Sequence, residues 1–217
     1  MDGTKESEQE LDIMSAQNLN LINDSLSAFE WLTKRKYKIV LAHKGKITNI
    51  DLVFLPKNYV HIAGVNKLED ISVAPNQSHA ALYRDIKKNE ELRKRIAQSS
   101  YFDIIVGRLY SIIDLKDNLE DVNNNRHFKF IKKVANNYTQ IEYDFFIESK
   151  YDNNKYYYFL RYSHNPANAN ECVLVSTFIE NEKDYSIKQE QMTLLKKTLV
   201  DLNTSEERII YDRTDST

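Results

Sequence analysis

The chain has 217 residues, 41% of them hydrophobic and 29% charged, which is enough apolar material for one folded domain and too much for a wholly disordered chain. With 30 basic and 32 acidic residues the net charge is -2, so any contact with nucleic acid has to use a local basic patch and not the summed field of the molecule. The single cysteine, Cys172, excludes an intramolecular disulfide, and the lack of an apolar leader or of a run of about 18 apolar residues leads to the expectation of a cytoplasmic protein without membrane contact.

Four glycines and three prolines leave little to interrupt regular elements, and fourteen tyrosines with nine phenylalanines predict aromatic-rich strands. Residues 1–9 are polar and are expected to fray. Leu19, Ile22, Leu26 and Phe29 then recur at helical spacing, predicting an amphipathic helix that ends near Lys34. We expect residues 1–36 to form a helical arm and residues 37–217 a single domain. A hairpin follows, with Lys38–Ala42 and Ile47–Phe54 joined at Lys44, Gly45 and Lys46.

Between Asn58 and Leu68 the chain sets His61, Gly64 and Lys67 among apolar anchors. Histidine moves a proton near neutral pH, glycine lets backbone approach a ligand, and lysine meets phosphate as a point charge. Residues 73–77 read as a loop. Ser78 is expected to cap a helix running to about Gln98, and Ser100 with Asp103 resembles a capping box for a second one. In that second helix Phe102, Ile105, Val106, Leu109, Ile112 and Ile113 form the stripe that faces the sheet.

After a polar interruption at 121–125, strands are predicted at 127–133, 138–151, 155–163 and 172–181, then a helix at 185–202 carrying Met192, Leu195, Leu199 and Leu202, and a last strand at 208–211. Strict alternation in the fourth of these strands puts Cys172, Leu174, Ser176 and Phe178 on one face and Val173, Val175, Thr177 and Ile179 on the other. Ser176 and Thr177 then share a pocket only if a bulge intervenes. The expected fold is α+β: an N-terminal helix and a helical pair packed on a mostly antiparallel, meander-type β-sheet.

Tyr59, His61, Gly64, Lys67 and Leu68 at the front, with Ser176, Thr177, Phe178 and Gln191 at the back, form a pattern that resembles the phage-borne barnase-EndoU-colicin-RelE-like nuclease group. The resemblance spans roughly residues 37–202. The chain departs from the pattern at Ile62-Ala63 and in having Thr177 within the serine-aromatic strand motif. The resemblance implies metal-independent RNA cleavage without a cofactor, in a toxin or effector of a phage or mobile element. His61 would transfer the proton, Lys67 would stabilise charge on phosphate, and Ser176 or Thr177 would donate to a nonbridging oxygen. Arg161 and Gln191 are the implied substrate contacts.

Other readings compete with this one. A catalytically inactive module of the same fold would bind RNA, or a protein through the N-terminal helix. Glu148 and Asp144 on one strand suggest a Mg²⁺-dependent nuclease. Tyr156, Tyr157 and Tyr158 are candidates for stacking a base, although strand tyrosines also build cores. His164 and Cys172 lack the partners a zinc site needs, and no dinucleotide, P-loop or serine-elbow motif is present.

Overall fold

The computed structural model describes residues 3–72, 76–120, 129–135, 139–151, 154–180 and 184–213. The first helix, α1, spans Gly3–Thr33. It starts within the segment expected to fray, because Glu, Lys and Gln are good helix formers and the run has no breaker after Gly3. Its apolar stripe is committed to the protein's own interior. Ile22, Leu26, Phe29 and Leu32 are buried and Leu19 packs beside them, which removes the helix face that had been read as a surface for a partner.

Strands β1 (Arg35–His43) and β2 (Lys46–Val53) form the predicted antiparallel hairpin, and Lys44 and Gly45 take positive φ at its turn. A short helix α2 (Tyr59–Ile62) leads to a left-handed Gly64 and a helical turn at Val65–Lys67. Residues 73–75 of the predicted loop lie outside the described residues. The single helix expected from Ser78 is two: α3 (His79–Lys88) and α4 (Glu90–Ala97). Ser78 Oγ caps α3 as expected. The break comes at Asn89, whose extended backbone and side-chain oxygen, accepting from the Leu92 amide at 3.1 Å, end one helix and cap the next.

Helix α5 spans Asp103–Glu120, with Ile105, Leu109 and Ile112 buried as expected. Ser100 does not serve it as part of a capping box. Its amide and hydroxyl instead donate to Asp70, as the Ser99 hydroxyl also does at 2.6 Å.

The remaining strands are β3 (Lys129–Lys132), β4 (Phe145–Tyr151), β5 (Asn154–Tyr162), β6 (Glu171–Ile179), β7 (Glu190–Asp201) and β8 (Glu207–Asp212). The polar interruption at 121–125 is outside the described residues, as are residues 152–153. The helix expected at 185–202 is a strand. Met192, Leu195, Leu199 and Leu202 do fall at helical steps, but Thr193, Thr198 and Val200 are β-branched. Tertiary pairing then decides the outcome, since β7 bonds β1 along one edge and β3 and β8 along the other.

That strand overturns the meander. The order β1-β2-β6-β5-β4-β3-β7 closes on itself through the β1–β7 pairing, giving a seven-stranded barrel, with β8 attached to β7. It is mixed, because β2 and β6 run parallel. The protein is α+β, but its described residues build a closed barrel with five α-helices and not an open antiparallel sheet. Closure leaves β4 and β5 buried on both faces. Phe145 and Ile147 join the main core with the helices, whereas Phe146, Tyr157 and Phe159 form a second aromatic cluster with Tyr143 and Tyr185. Tyr156, Tyr157 and Tyr158 are all buried core residues and offer no surface for a base.

Candidate functional site

Tyr59 fixes the segment that carries His61. Its ring packs on Phe29 and Tyr83 at centroid distances of 5.2 and 5.3 Å, and its hydroxyl lies 2.8 Å from Ser25 Oγ on α1. Asn58, just ahead, donates its side-chain amide to the Leu174 carbonyl of β6 at 3.1 Å. Val60, Ile62, Ala63 and Val65 are buried, so the same anchoring that hides them directs His61 and Lys67 outward. Gly64 is required here on two grounds. Its φ is +80°, and a Cβ would come within 2.8 Å of the Arg108 side chain and 3.1 Å of Ile105. Gly64→Ala is therefore expected to cost about 1–2 kcal/mol in chemical denaturation, from the left-handed backbone alone. It is also expected to push Arg108 from its place, weakening anion binding in the same sample.

The strand opposite carries the feature that alternation alone did not give. Between the pairs Phe159↔Ser176 and Leu160↔Leu174 the register shifts, leaving Val175 as an extra residue on β6. The faces exchange at that bulge. Val173, Val175 and Ser176 line one cleft together, while Thr177 turns to the interior. Thr177 Oγ1 donates to Ser111 Oγ at 2.8 Å, and Ser111 donates in turn to the Arg108 carbonyl at 2.8 Å. Thr177 thus ties β6 to the turn of α5 that presents Arg108.

The cleft has a volume of about 700 Å³ and brings His61, Lys67, Arg161 and Ser176 together. Thr177 is sealed away from it. Gln191 is on β7, where its carbonyl lies 3.1 Å from His43 Nδ1, and is not part of the cleft wall. Lys57, Asn58, His79 and Arg108 also line it. These four were missed because they come from a loop, a helix start and the middle of an apolar helix, and only the fold makes them neighbours.

Positive charge dominates the site. Arg161 donates to Glu142 at 3.0 Å, a carboxylate that also lines the cleft and is widely exposed. Lys57, Lys67 and Arg108 pair with no carboxylate among the described residues; Arg108 donates instead to the Ile62 carbonyl at 3.3 Å. The strain of assembling them is visible in their proton affinities. Partial burial, then the charges of Arg108, His79 and Lys67, hold the His61 pKa below its ordinary value. Arg108 depresses Lys67, and burial depresses Arg108 itself. An anion relieves all of these repulsions at once, and phosphate suits the donor set.

The carboxylates read as a Mg²⁺ site are used otherwise. Glu148 is buried between Lys129 at 2.9 Å and Lys155 at 3.4 Å, and Asp144 accepts from the Tyr162 amide at 2.8 Å. Among the described residues, no group of three or more His, Cys, Asp or Glu side chains is placed to hold a metal ion. Cys172 is wholly buried, and that burial pushes its thiol up to about 12.

A family model described as phage-Barnase-EndoU-ColicinE5/D-RelE like nuclease4 matches residues 21–214, most of the chain. The chain belongs to this nuclease family. No curated protein and no solved structure gave a match. Membership of a nuclease family points to a nucleic acid as the substrate. The match begins within α1, so the buried half of that helix is family structure. Among the described residues, no helix is long and apolar enough to cross a membrane.

Proposed function

We propose that the protein is an endoribonuclease that cleaves RNA by attack of a ribose 2′-hydroxyl on the adjoining phosphate, without a metal ion. The observation that supports this most strongly is the meeting of two imidazoles, His61 and His79, with Lys67 and Arg108 in one cleft, where Lys67 and Arg108 have no carboxylate partner among the described residues. His61, whose neutral form is favoured by partial burial and the neighbouring cations, takes the proton of the 2′-hydroxyl. The attacking oxygen bonds to phosphorus as the bond to the 5′-oxygen breaks, and His79 is placed to give a proton to that leaving oxygen. The products are a cyclic phosphate and a 5′-hydroxyl. Lys67 and Arg108 stabilise the charge that builds on the nonbridging oxygens, with Ser176 donating a hydrogen bond to one of them. Arg161 holds a neighbouring phosphate once Glu142 is displaced. Thr177 acts through Arg108 in this reading, as a positioning residue.

The reaction needs the 2′-hydroxyl, and this gives the test. Labelled single-stranded RNA should be cut in the presence of EDTA, whereas the same sequence with one 2′-deoxyribose at the cut position should resist at that bond alone. Equal cutting of the DNA sequence, or loss of activity with EDTA, would reject the mechanism.

A further inference from the structure

Beyond Lys67 and Arg108 the molecule has a second hollow, of about 420 Å³, running between the first turns of α5 and the end of β6. Those two cations line both spaces, so the hollows are arms of one groove that meet at its positive charge. The two arms differ in character. The first carries the imidazoles, while the second is walled by Phe178 and Tyr185, with Gly107 and Ile179 beside them and Asp103 and Ile104 at the rim.

We propose that this second arm is a subsite for one unpaired base of the bound strand, adjacent to the phosphate held by Lys67 and Arg108. The inference rests on the nucleic-acid reading of the cleft. An occupant that is anionic at the junction and lays a flat, polar-edged ring against Phe178 in the arm has the chemistry of a nucleotide. Phe178 is suited to stack against it, because its ring is already immobilised. It stacks on Phe159 at 5.2 Å and meets Tyr185 edge-on at 5.3 Å, while Tyr185 is itself braced by Tyr157 at 5.1 Å. A base docking there orders little that is not ordered beforehand.

Ile104, 54% exposed beside the buried Ile105, adds apolar surface at the mouth. Gly107 keeps the helix wall free of a side chain, and a Cβ built there would lie 3.4 Å from Ile179, at ordinary contact distance. The Asp103 side chain makes no hydrogen bond or ion pair among the described residues. Carboxylate oxygens accept hydrogen bonds, so Asp103 favours a base edge rich in N–H donors, which guanine offers and thymine offers less.

The test uses binding, so that it stands apart from turnover. Labelled 2′-deoxy pentamers with abasic sugars at every position but one carry guanine, thymine or no base at that position, and their affinities are read by fluorescence anisotropy. The native protein is expected to bind the guanine strand about tenfold more tightly than the base-free strand, with thymine between them. Gly107→Leu, which fills the arm, should reduce all three to the base-free affinity, and Asp103→Ala should erase the difference between guanine and thymine. Should Gly107→Leu fail to fold, the native comparison and Asp103→Ala decide the matter. Equal native affinities for all three strands, or an undiminished base advantage in folded Gly107→Leu, would overturn the subsite. A protein that shows the base advantage yet leaves RNA intact keeps the subsite and loses the ribonuclease reading; one that cuts RNA without a base advantage does the reverse.

Discussion

Replacing His61 by alanine is expected to slow RNA cleavage by about 10²–10⁴-fold, the usual worth of a positioned proton-transfer group. Single-turnover cleavage of labelled RNA measures it, and the fold should survive because this side chain is exposed on a segment anchored by its buried neighbours. The pH profile sharpens the test. Cleavage needs the neutral imidazole, and a depressed pKa lets that form persist to lower pH, so the acidic limb for the native protein should lie below 6.5, the ordinary histidine value. Lys67→Met or Arg108→Met removes a repelling charge, raises the His61 pKa and moves the limb to higher pH while also slowing the reaction. A His61→Ala protein that cleaves at native rate, or a limb indifferent to both cationic substitutions, would take His61 out of the mechanism.

Phe29→Ala should lower the free energy of unfolding by about 3–5 kcal/mol, the range for truncating a fully enclosed aromatic ring. Phe29 has no exposed surface, and its ring touches Phe54, Tyr59 and Tyr83 at once, joining α1 to the end of the hairpin, to α2 and to α3. The cavity would open directly beneath the segment that bears His61. Urea denaturation followed by circular dichroism measures the loss, and a change under about 1 kcal/mol would show that the helix is peripheral to the core. Thr177→Val offers a finer companion. It is close to isosteric but leaves Ser111 without its donor, so it should reduce activity through Arg108 more than it reduces stability.

The parts of the molecule that were legible beforehand share a physical basis. The α1 stripe, the hairpin at Lys44 and Gly45, and the α5 stripe are local patterns in which burial and turn chemistry agree along a short stretch. His61, Lys67 and Ser176 were picked out through a motif likeness and Arg161 as a further phosphate contact implied by it, and the fold sets all four in the wall of one cleft. What escaped notice was nonlocal. The spacing of Met192, Leu195 and Leu199 satisfies a helix, and only the claims of β1, β3 and β8 on the same backbone make it a strand. Val175 breaks the alternation because the ladder to β5 slips there, an event the residues of β6 do not announce, and Thr177 leaves the cleft as a result. Arg108 lies in a helix read as core, and its role follows from the hollow that Gly64 provides beneath it.

The pairing of β1 with β7 joins Arg35 to Asp201, so the ring shuts between segments synthesised at nearly opposite times. Contacts of such long sequence separation are slow to form, because the loop entropy is lost before the ladder rewards it. A ribosome-bound fragment lacking β7 has no closed wall to hold β6 against α5. The groove therefore assembles late, once β7 has paired with β1.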